Sequence, residues 1–435
     1  MTYWCRTAVL ADGAHEGVRI EHAGGRITAI ESAVAARAGD IQLDTVFGGI
    51  GNVHSHAFHR VLRGRTHDDG GDFWQWRDSM YEAAAQLSPD SYRELATAVF
   101  AEMLAAGYTA VGEFHYVHHQ PDGTPYTDHT MERALAAAAS DVGIRLTLLD
   151  TCYLAGGINT PLSTAQARFS DNTADGWLAR WFSLREALAD YPSVTLGAAI
   201  HSVRAVPRSE LAVIAAGLPA DVPLHVHLSE QPQENADSVA AYGLTPTQVL
   251  ASAGLVTNRL TVVHATHLTD GDIALLGEAA VTVAMCPTTE ADLGDGIGPA
   301  RALAAAGARI TLGSDQNAVI DPFLEARGLE AGERLASGQR GRFSPAELNH
   351  ALGADGYTAL GLDGGLVVGA LCDLVEVSSS SVRTLGARAA QLPLVATASD
   401  VRRVVVGGVI VASSGLLADS RDPAELLASS LNGHL

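Results

Sequence analysis

Short apolar runs alternate with longer amphipathic segments through most of this 435-residue chain. Eight of the apolar runs have the length and composition of buried strands, and most of them close on a polar or ionisable side chain. We place their ends near His54, Glu113, Asp150, His201, His227, His264, Cys286 and Asp315. Alternating strand and helix units predict a parallel sheet, and eight such units predict a closed (β/α)8 barrel of the TIM type.

The helices between these strands are recognisable by their ends. Ser88 can cap a helix, Pro89 suits the first helical position, and Gly107 supplies the stop before the second strand. Pro299 to Ala306 has the pattern of a shorter helix that ends at Gly307. The order of elements is therefore a simple alternation.

The two ends of the chain have a different pattern, with short strands around glycine turns. Residues 1–47 contain Val18 to Ile20, and residues 361–435 contain Val404 to Val406 in the same style. Neither piece alone has enough strands to bury one face. We predict a small β-sandwich domain built from both termini, 1–47 and 361–435 with a C-terminal tail, around a barrel of residues 48–360.

Composition and charge narrow the classes of function. A formal net charge of -21 argues against nucleic-acid partners and anionic membranes, which require clustered positive charge. The N-terminus lacks the pattern of a signal peptide, and no apolar run is long enough to span a membrane. The cysteines show no CxxC spacing and are expected to be reduced core thiols of a cytoplasmic protein: Cys5, Cys152, Cys286 and Cys372.

Ionisable residues concentrate at the predicted carboxyl ends of the barrel strands, where such barrels carry their chemistry. His54 and His56 are two apart and share one face of a strand, and His227 and Asp315 end two other strands. Three imidazoles and a carboxylate are suited to Zn²⁺, and Fe²⁺ is also compatible. All 28 basic residues are arginine, so no lysine is present to bridge two ions, and we predict one metal ion per subunit.

Three residues beside this set are candidates for catalysis. A bound metal lowers the pKa of water, which leaves proton transfer and charge stabilisation to side chains. Glu230 follows His227 at a spacing that lets it face the substrate, Asp315 can accept the proton of the attacking water, and His264 can polarise the nucleophile. The alternative for His264 is a hydrogen-bonded core histidine.

Together these motifs resemble the amidohydrolase superfamily and, within it, the formimidoylglutamate deiminases of histidine breakdown. The segments that carry the resemblance are Asn52 to Arg60, Phe73 to Arg77, Glu113 to Tyr116, Leu224 to Gln231 and Gly313 to Asp315. The similarity covers nearly the whole chain, and the FWxWR and EFHYxHH segments are its subgroup-specific part. It implies a mononuclear zinc site, a homodimer, and hydrolysis of N-formimino-L-glutamate to N-formyl-L-glutamate and ammonia.

A small-molecule dicarboxylate substrate requires cationic groups, and Arg77 and Arg204 are the candidates because guanidinium binds carboxylate in a bidentate manner. Arg77 lies after the first strand, in a segment expected to form a lid; the alternative is a surface helix charge. Tyr116 and His201 match family positions that contact substrate. His59 stands where many members have Gln, and we expect it to donate the same hydrogen bond.

A second departure concerns Gln316 and Asn317, which stand where Ser-His is common and which border the metal ligand Asp315. They leave the substrate preference open. One alternative function is deamination of a purine-like or pyrimidine-like heterocycle, or of another formimino or guanidino acid. Two others are hydrolysis of a lactam or imidazolone ring and a metal-free binding protein.

Overall fold

The structure is a computed structural model that describes residues 2–67, 71 and 73–431. Four strands come first: β1 (Thr2–Leu10), β2 (Gly13–Ala23), β3 (Arg26–Glu31) and β4 (Ile41–Gly48). Eight strands follow: β5 (Ile50–Ser55), β6 (Tyr108–His115), β7 (Arg145–Cys152), β8 (Val194–Ile200), β9 (Leu224–Leu228), β10 (Leu260–His264), β11 (Thr282–Met285) and β12 (Arg309–Leu312). The last four are β13 (Leu374–Val377), β14 (Val401–Val406), β15 (Val409–Ser413) and β16 (Leu416–Leu417).

Helices connect the strands and flank the sheets: α1 (Phe73–Gln86), α2 (Pro89–Ala106), α3 (Thr130–Val142), α4 (Ala174–Ala187), α5 (Arg208–Gly217), α6 (Pro232–Tyr242), α7 (Pro246–Ser252), α8 (Asp270–Glu278), α9 (Pro287–Asp292), α10 (Ala300–Ala306), α11 (Pro322–Ser337), α12 (Pro345–Leu352), α13 (Ala354–Ala359) and α14 (Pro423–Leu431). Short 3-10 helices span Ala57–Leu62, Thr127–His129, Thr164–Phe169, Ala389–Leu394 and Ala398–Asp400. The predicted ends of α2 are confirmed, because Ser88 accepts from the backbone N–H of Ser91 and Gly107 is left-handed with φ 108°.

Strands β5 to β12 form one parallel sheet in sequence order, which confirms the predicted barrel. The first and last strands approach each other through a parallel bridge between Ser55 and Asp315, and the His56 amide donates to the Asp315 carbonyl at 2.9 Å. The eighth strand, whose end the sequence places near Asp315, ends at Leu312 in the structure. The reason is that Ser314 and Asp315 both donate their amides to the His54 carbonyl, which turns the chain across the barrel mouth.

The remaining eight strands form a second sheet from both termini, as predicted, in the order β16-β15-β14-β13-β4-β1-β2-β3. The antiparallel pair β4 and β13 joins the N-terminal piece to the C-terminal one. A buried apolar cluster that includes Tyr3, Val18, Ile20, Leu43 and Leu374 lies beneath this sheet. Met1 and the last four residues of the predicted tail lie outside the described residues.

A buried polar contact holds the two sheets together. Arg145 of β7 donates two hydrogen bonds to Asp373, at 2.6 and 2.9 Å, and the Tyr357 hydroxyl donates to the same carboxylate at 2.7 Å. A carboxylate with three donors is satisfied, so its burial is tolerated. The four cysteines are buried and unpaired, and within the described ranges no helix has the length and apolar character needed to cross a membrane.

Candidate active site

Four predicted metal ligands meet at the carboxyl ends of three barrel strands, and we call His54, His56, His227 and Asp315 the cavity cluster. The Nε2 atoms of His54 and His227 are 3.1 Å apart. The Oδ1 atom of Asp315 lies 3.3 Å from Nε2 of His54 and 3.4 Å from Nε2 of His56. Asp315 thus contacts both His54 and His56. The ligand atoms of His54, His227, His264 and Asp315 all lie within 4.8 Å of one another, and those of His56, His59 and Asp315 form a second such set.

The hydrogen bonds of the histidines indicate that a cation belongs in this cluster. The Nδ1 atom of His56 lies 2.9 Å from the carbonyl oxygen of Phe114, and Nδ1 of His227 lies 2.9 Å from that of His201. A carbonyl only accepts, so each Nδ1 carries a proton and each Nε2 presents a lone pair. The lone pairs of His56 and His227, beside the Asp315 carboxylate, fit a divalent metal with nitrogen-rich ligands.

Burial gives these imidazoles the protonation state that metal binding requires. Desolvation, together with the neighbouring His54, lowers the pKa of His56 to about 3, although Asp315 opposes the shift. Desolvation also lowers the pKa of His54 and of His227 well below the ordinary value. Neutral imidazole is the form that binds metal.

Glu230 and His264 lie beside the cavity cluster. The Nε2 atom of His264 is 3.8 Å from Oε1 of Glu230 and 3.8 Å from Oδ2 of Asp315, and its Nδ1 atom is 3.4 Å from Glu290. Burial alone would lower the pKa of His264, but Glu230, Glu290 and Asp315 outweigh it and raise the pKa to about 10. A cationic imidazole among three carboxylates can donate hydrogen bonds to a developing negative charge.

Backbone strain concentrates at the same place. Ser229, His264, Ala265, Asp315 and Asn317 all have positive φ, between 43° and 68°, at the mouth of the barrel. Non-glycine residues in this region cost on the order of 1 kcal/mol or more and persist where the surroundings hold them. The loops after β9, β10 and β12 are thus held in the shape that directs their side chains to the site.

The cavity cluster opens into a cavity of about 220 Å³. The structure places every predicted substrate-binding residue on its wall: His59, Arg77, Tyr116, His201 and Arg204. Helix α1, the predicted lid segment, contributes much of that wall. The volume is below the range of about 300–1,000 Å³ that is usual for drug-sized ligands, so the cavity suits a small substrate.

The two cavity arginines have different partners. Arg204 lies between two acids, with Nη2 3.2 Å from Oε2 of Glu230 and Nε 3.4 Å from Glu234. Arg77 instead stacks on the ring of Trp74, with its guanidinium carbon 4.4 Å from the ring centroid. None of the ion pairs among the described residues involves Arg77. Arg77 is therefore the less neutralised of the two cations.

The departures noted in the sequence have structural roles. Nε2 of His59 lies 3.0 Å from the hydroxyl of Tyr116, so His59 fixes a neighbouring wall residue. The Asn317 amide donates to Ser55 Oγ at 3.1 Å and to the His56 carbonyl at 3.0 Å, and its oxygen accepts from Ser314 at 2.6 Å. Asn317 thereby connects the two strand ends that carry His54, His56 and Asp315.

Gln316 is turned away from this connection. Its side-chain amide donates to Asp292 at 2.7 Å, and His67 contacts the other oxygen of that carboxylate at 2.9 Å. Gln316 thus ties the loop after β12 to the end of α9.

The sequence did not indicate Glu234 and Glu290 as partners of Arg204 and His264. Glu234 is on α6, and Glu290 is on α9, where it also accepts from the Cys286 amide at 2.8 Å. Both carboxylates are buried, and buried carboxylates are rare unless paired. Acidic residues in the first turn of the helix that follows a barrel strand were the available signal.

A second group of buried ionisable residues lies apart from the cavity, and we call His115, His118, Glu132, Asp150 and Arg180 the ion-pair cluster. The Nδ1 atom of His118 is 2.9 Å from Glu132, and Nε2 is 2.9 Å from the Thr151 carbonyl. Arg180 donates two hydrogen bonds to Asp150, at 2.8 and 2.9 Å. Both histidines of this cluster are buried.

Comparisons with known proteins show which proteins this chain is similar to. Residues 45–411 match the Amidohydrolase family. The formimidoylglutamate deiminase of Pseudomonas aeruginosa is 37% identical over 387 residues, 86% of this chain and 85% of that protein. An amidohydrolase structure from Brucella melitensis has a TM-score of 0.93 and 34% identity, over 99% of each chain. A zinc-bound adenosine deaminase from Xanthomonas campestris has a TM-score of 0.84 and 26% identity, over 100% of this chain and 97% of that one.

Proposed function

The chain belongs to the amidohydrolase family, and on that premise we propose that it hydrolyses N-formimino-L-glutamate to N-formyl-L-glutamate and ammonia. The proposal includes one zinc ion per subunit, held by the cavity cluster. The relative from Pseudomonas aeruginosa supports this substrate by its name and its 37% identity.

The observation that carries the proposal is a small cavity that combines a metal site with two arginines. Arg77 and Arg204 line the same wall as Glu230 and Asp315. Guanidinium groups bind carboxylates, whereas a neutral purine or pyrimidine base has no group that needs them. A dicarboxylate amidine has both the charge and the size that this cavity accommodates.

The chemistry divides among three side chains. A divalent metal, when bound, acts as a Lewis acid that makes water nucleophilic at neutral pH. Asp315 has one oxygen directed at the histidines and the other toward His264, so it can accept the proton of the attacking water. His264 donates a hydrogen bond to the oxygen that gains charge. The proton that Asp315 takes from water passes to Glu230, which delivers it to the departing nitrogen. The protonated nitrogen then leaves as ammonia, which is a better leaving group than the unprotonated amide ion.

Deamination of a heterocycle is the competing function, because the zinc-bound neighbour in structure is an adenosine deaminase. The cavity, at about 220 Å³, is below the range usual for drug-sized ligands, and a nucleoside gains little from two guanidinium groups. The cavity therefore favours the acyclic substrate.

Ammonia release by the zinc-loaded protein tests the proposal. We expect rapid release from N-formimino-L-glutamate, slower release from N-formimino-L-aspartate, and none from adenosine, other purines or pyrimidines. Chelation should abolish the activity, and added zinc should restore it, while the Asp315→Asn variant should stay inactive under both conditions. Turnover of a heterocycle without turnover of the formimino acid would reject the proposed substrate and retain the metal site.

A further inference from the structure

Two tyrosine hydroxyls on the cavity wall share one amide group. The side-chain nitrogen of Gln166 lies 2.7 Å from the hydroxyl of Tyr153 and 3.1 Å from that of Tyr81. Both tyrosines line the cavity that holds the metal site. Tyr153 directly follows β7, and Tyr81 is on α1. The two tyrosines come from separate parts of the chain, and Gln166 links them by hydrogen bonds.

The polarity of this arrangement is fixed by a fourth group. The Gln166 side-chain oxygen accepts from the backbone N–H of Ser163 at 2.9 Å, so its nitrogen must face the tyrosines. An amide nitrogen only donates, and each phenol oxygen therefore accepts a hydrogen bond. The two hydroxyls can share one of their protons, but the other proton has to point elsewhere. The cavity lies on their open side.

Arg77 places a positive charge beside this hydroxyl proton, and both groups would bind an anion. Glu230 and Glu234 already partly neutralise Arg204. Arg77 has its guanidinium carbon 5.6 Å from the ring centroid of Tyr81, and its buried Nε has no hydrogen-bond partner among the described residues. A buried N–H donor without an acceptor is costly, so an acceptor is expected there.

We infer that Tyr153 and Tyr81, oriented by Gln166, form with Arg77 a specificity-determining subsite for one carboxylate of the substrate. The inference rests on the proposed function and deepens it. The substrate class is an acyclic formimino acid whose short chain ends in a carboxylate. The tyrosine proton and the guanidinium together recognise that end, while the metal and Glu230 act on the other.

Removing one hydroxyl tests the subsite. In Tyr153→Phe we expect the KM for N-formimino-L-glutamate to rise about 10- to 100-fold with kcat changed less than about threefold, since hydrogen bonds to charged groups have this range. N-propylformamidine, which lacks the carboxylate, should be hydrolysed equally by wild type and variant. Tyr191→Phe, a half-buried tyrosine away from the cavity, is the matched control and should change neither constant.

Reversing the polarity of the amide tests the role of Gln166. The glutamate of Gln166→Glu has the same shape, and one of its oxygens still accepts from the Ser163 amide. Its other oxygen accepts hydrogen bonds from the two tyrosine hydroxyls, so neither hydroxyl proton remains free to face the cavity. We expect the same rise in KM for the formimino acid and no change for N-propylformamidine. An equal loss with both substrates would indicate a merely structural role and overturn the inference.

Failure of the inference can be distinguished from failure of the proposed function. If wild type hydrolyses N-formimino-L-glutamate and Tyr153→Phe keeps its KM, the subsite is refuted and the function stands. If wild type does not hydrolyse it, calorimetric binding of glutarate to the zinc-loaded proteins decides the subsite. Binding that Tyr153→Phe weakens at least about tenfold supports it, and binding that is absent or unchanged refutes it.

Discussion

Among the described residues, two buried clusters combine histidine and carboxylate side chains. They differ in whether a cationic side chain already pairs with the carboxylates. In the cavity cluster, imidazole lone pairs converge on a carboxylate beside an open cavity. In the ion-pair cluster, a guanidinium already occupies the position of the cation, with Arg180 2.8 Å from Asp150 and 3.2 Å from Glu132. Both contain three residues whose donor atoms could surround a metal.

The difference shows that residue types alone do not identify a metal site. His118 has a partner on each ring nitrogen, although Nε2 of His115 has no hydrogen-bond partner among the described residues. In the cavity cluster, Nε2 of His54 faces Nε2 of His227 at 3.1 Å. Buried ion pairs with hydrogen-bond partners belong to the fold, and imidazole nitrogens that converge beside a carboxylate suit a cation. The cavity also gives a metal ion and a substrate access to the cavity cluster, which supports a metal site there.

The largest expected difference between the clusters follows from matched substitutions of a glutamate in each. Glu230→Gln should lower the turnover of N-formimino-L-glutamate by roughly two to four orders of magnitude, the range for loss of a general acid or base. Metal content should stay at the wild-type level, because Glu230 is not in the cavity cluster. Steady-state kinetics with metal analysis checks both parts.

Glu132→Gln is the control, since it makes the same chemical change in the ion-pair cluster. We expect it to lower stability and to leave the turnover of the folded enzyme nearly unchanged. Near-normal turnover in Glu230→Gln would remove that residue from the proton path.

The second expected effect is on stability and concerns Arg180. Arg180→Met leaves three acids, Glu132, Asp150 and Asp171, without their shared cation. Loss of one partner from a buried pair costs about 3–5 kcal/mol. Urea unfolding should show this loss, and the metal content of the folded protein should not change. A variant as stable as wild type would mean that the cluster is hydrated or protonated in solution.

The sequence allowed the barrel, and the meeting of three of the predicted ligands, to be predicted because both depend on local patterns. Strand periodicity and the rule that chemistry lies at strand ends brought His54, His227 and Asp315 together. The partners Glu290 and Gln166 were not predictable, since long-range packing alone decides that they contact His264 and Tyr153. The same applies to His118, whose role depends on three residues that are distant in sequence.

Asn317 provides a smaller test within the cavity cluster. Asn317→Ala removes the hydrogen bonds to Ser55, His56 and Ser314 that hold the ends of β5 and β12 together. Loss of such supporting contacts typically weakens metal affinity about 10- to 100-fold. Competition with a chelator would measure the affinity, and the visible spectrum of the cobalt-substituted protein would report the ligand geometry.

Asn349→Ala is the control, because its amide bonds the Ala390 carbonyl away from the site. An unchanged cobalt spectrum together with unchanged affinity in Asn317→Ala would show that the bridge between Ser55 and Asp315 suffices to place the ligands.

The smallest expected effect is a difference in the pH dependence of stability, with opposite signs for the two clusters. Burial and Arg180 oppose protonation of His118, but Asp150 and Glu132 outweigh them and raise its pKa. Its stabilising contribution is then complete below the ordinary histidine pKa of about 6.5 and is lost as pH rises through the raised value.

For His56, whose pKa is lowered to about 3, the unfolded chain binds the extra proton, so stability falls as pH drops below about 6.5. The test measures the unfolding free energy of the chelated wild type, His118→Gln and His56→Gln from pH 5 to 9. The value for His118→Gln should approach that of wild type at high pH. The value for His56→Gln should fall below that of wild type at high pH, and the differences should be on the order of 1 kcal/mol. Parallel curves for both variants would mean that neither imidazole changes its proton affinity on folding, and the contrast between the clusters would then rest on geometry alone.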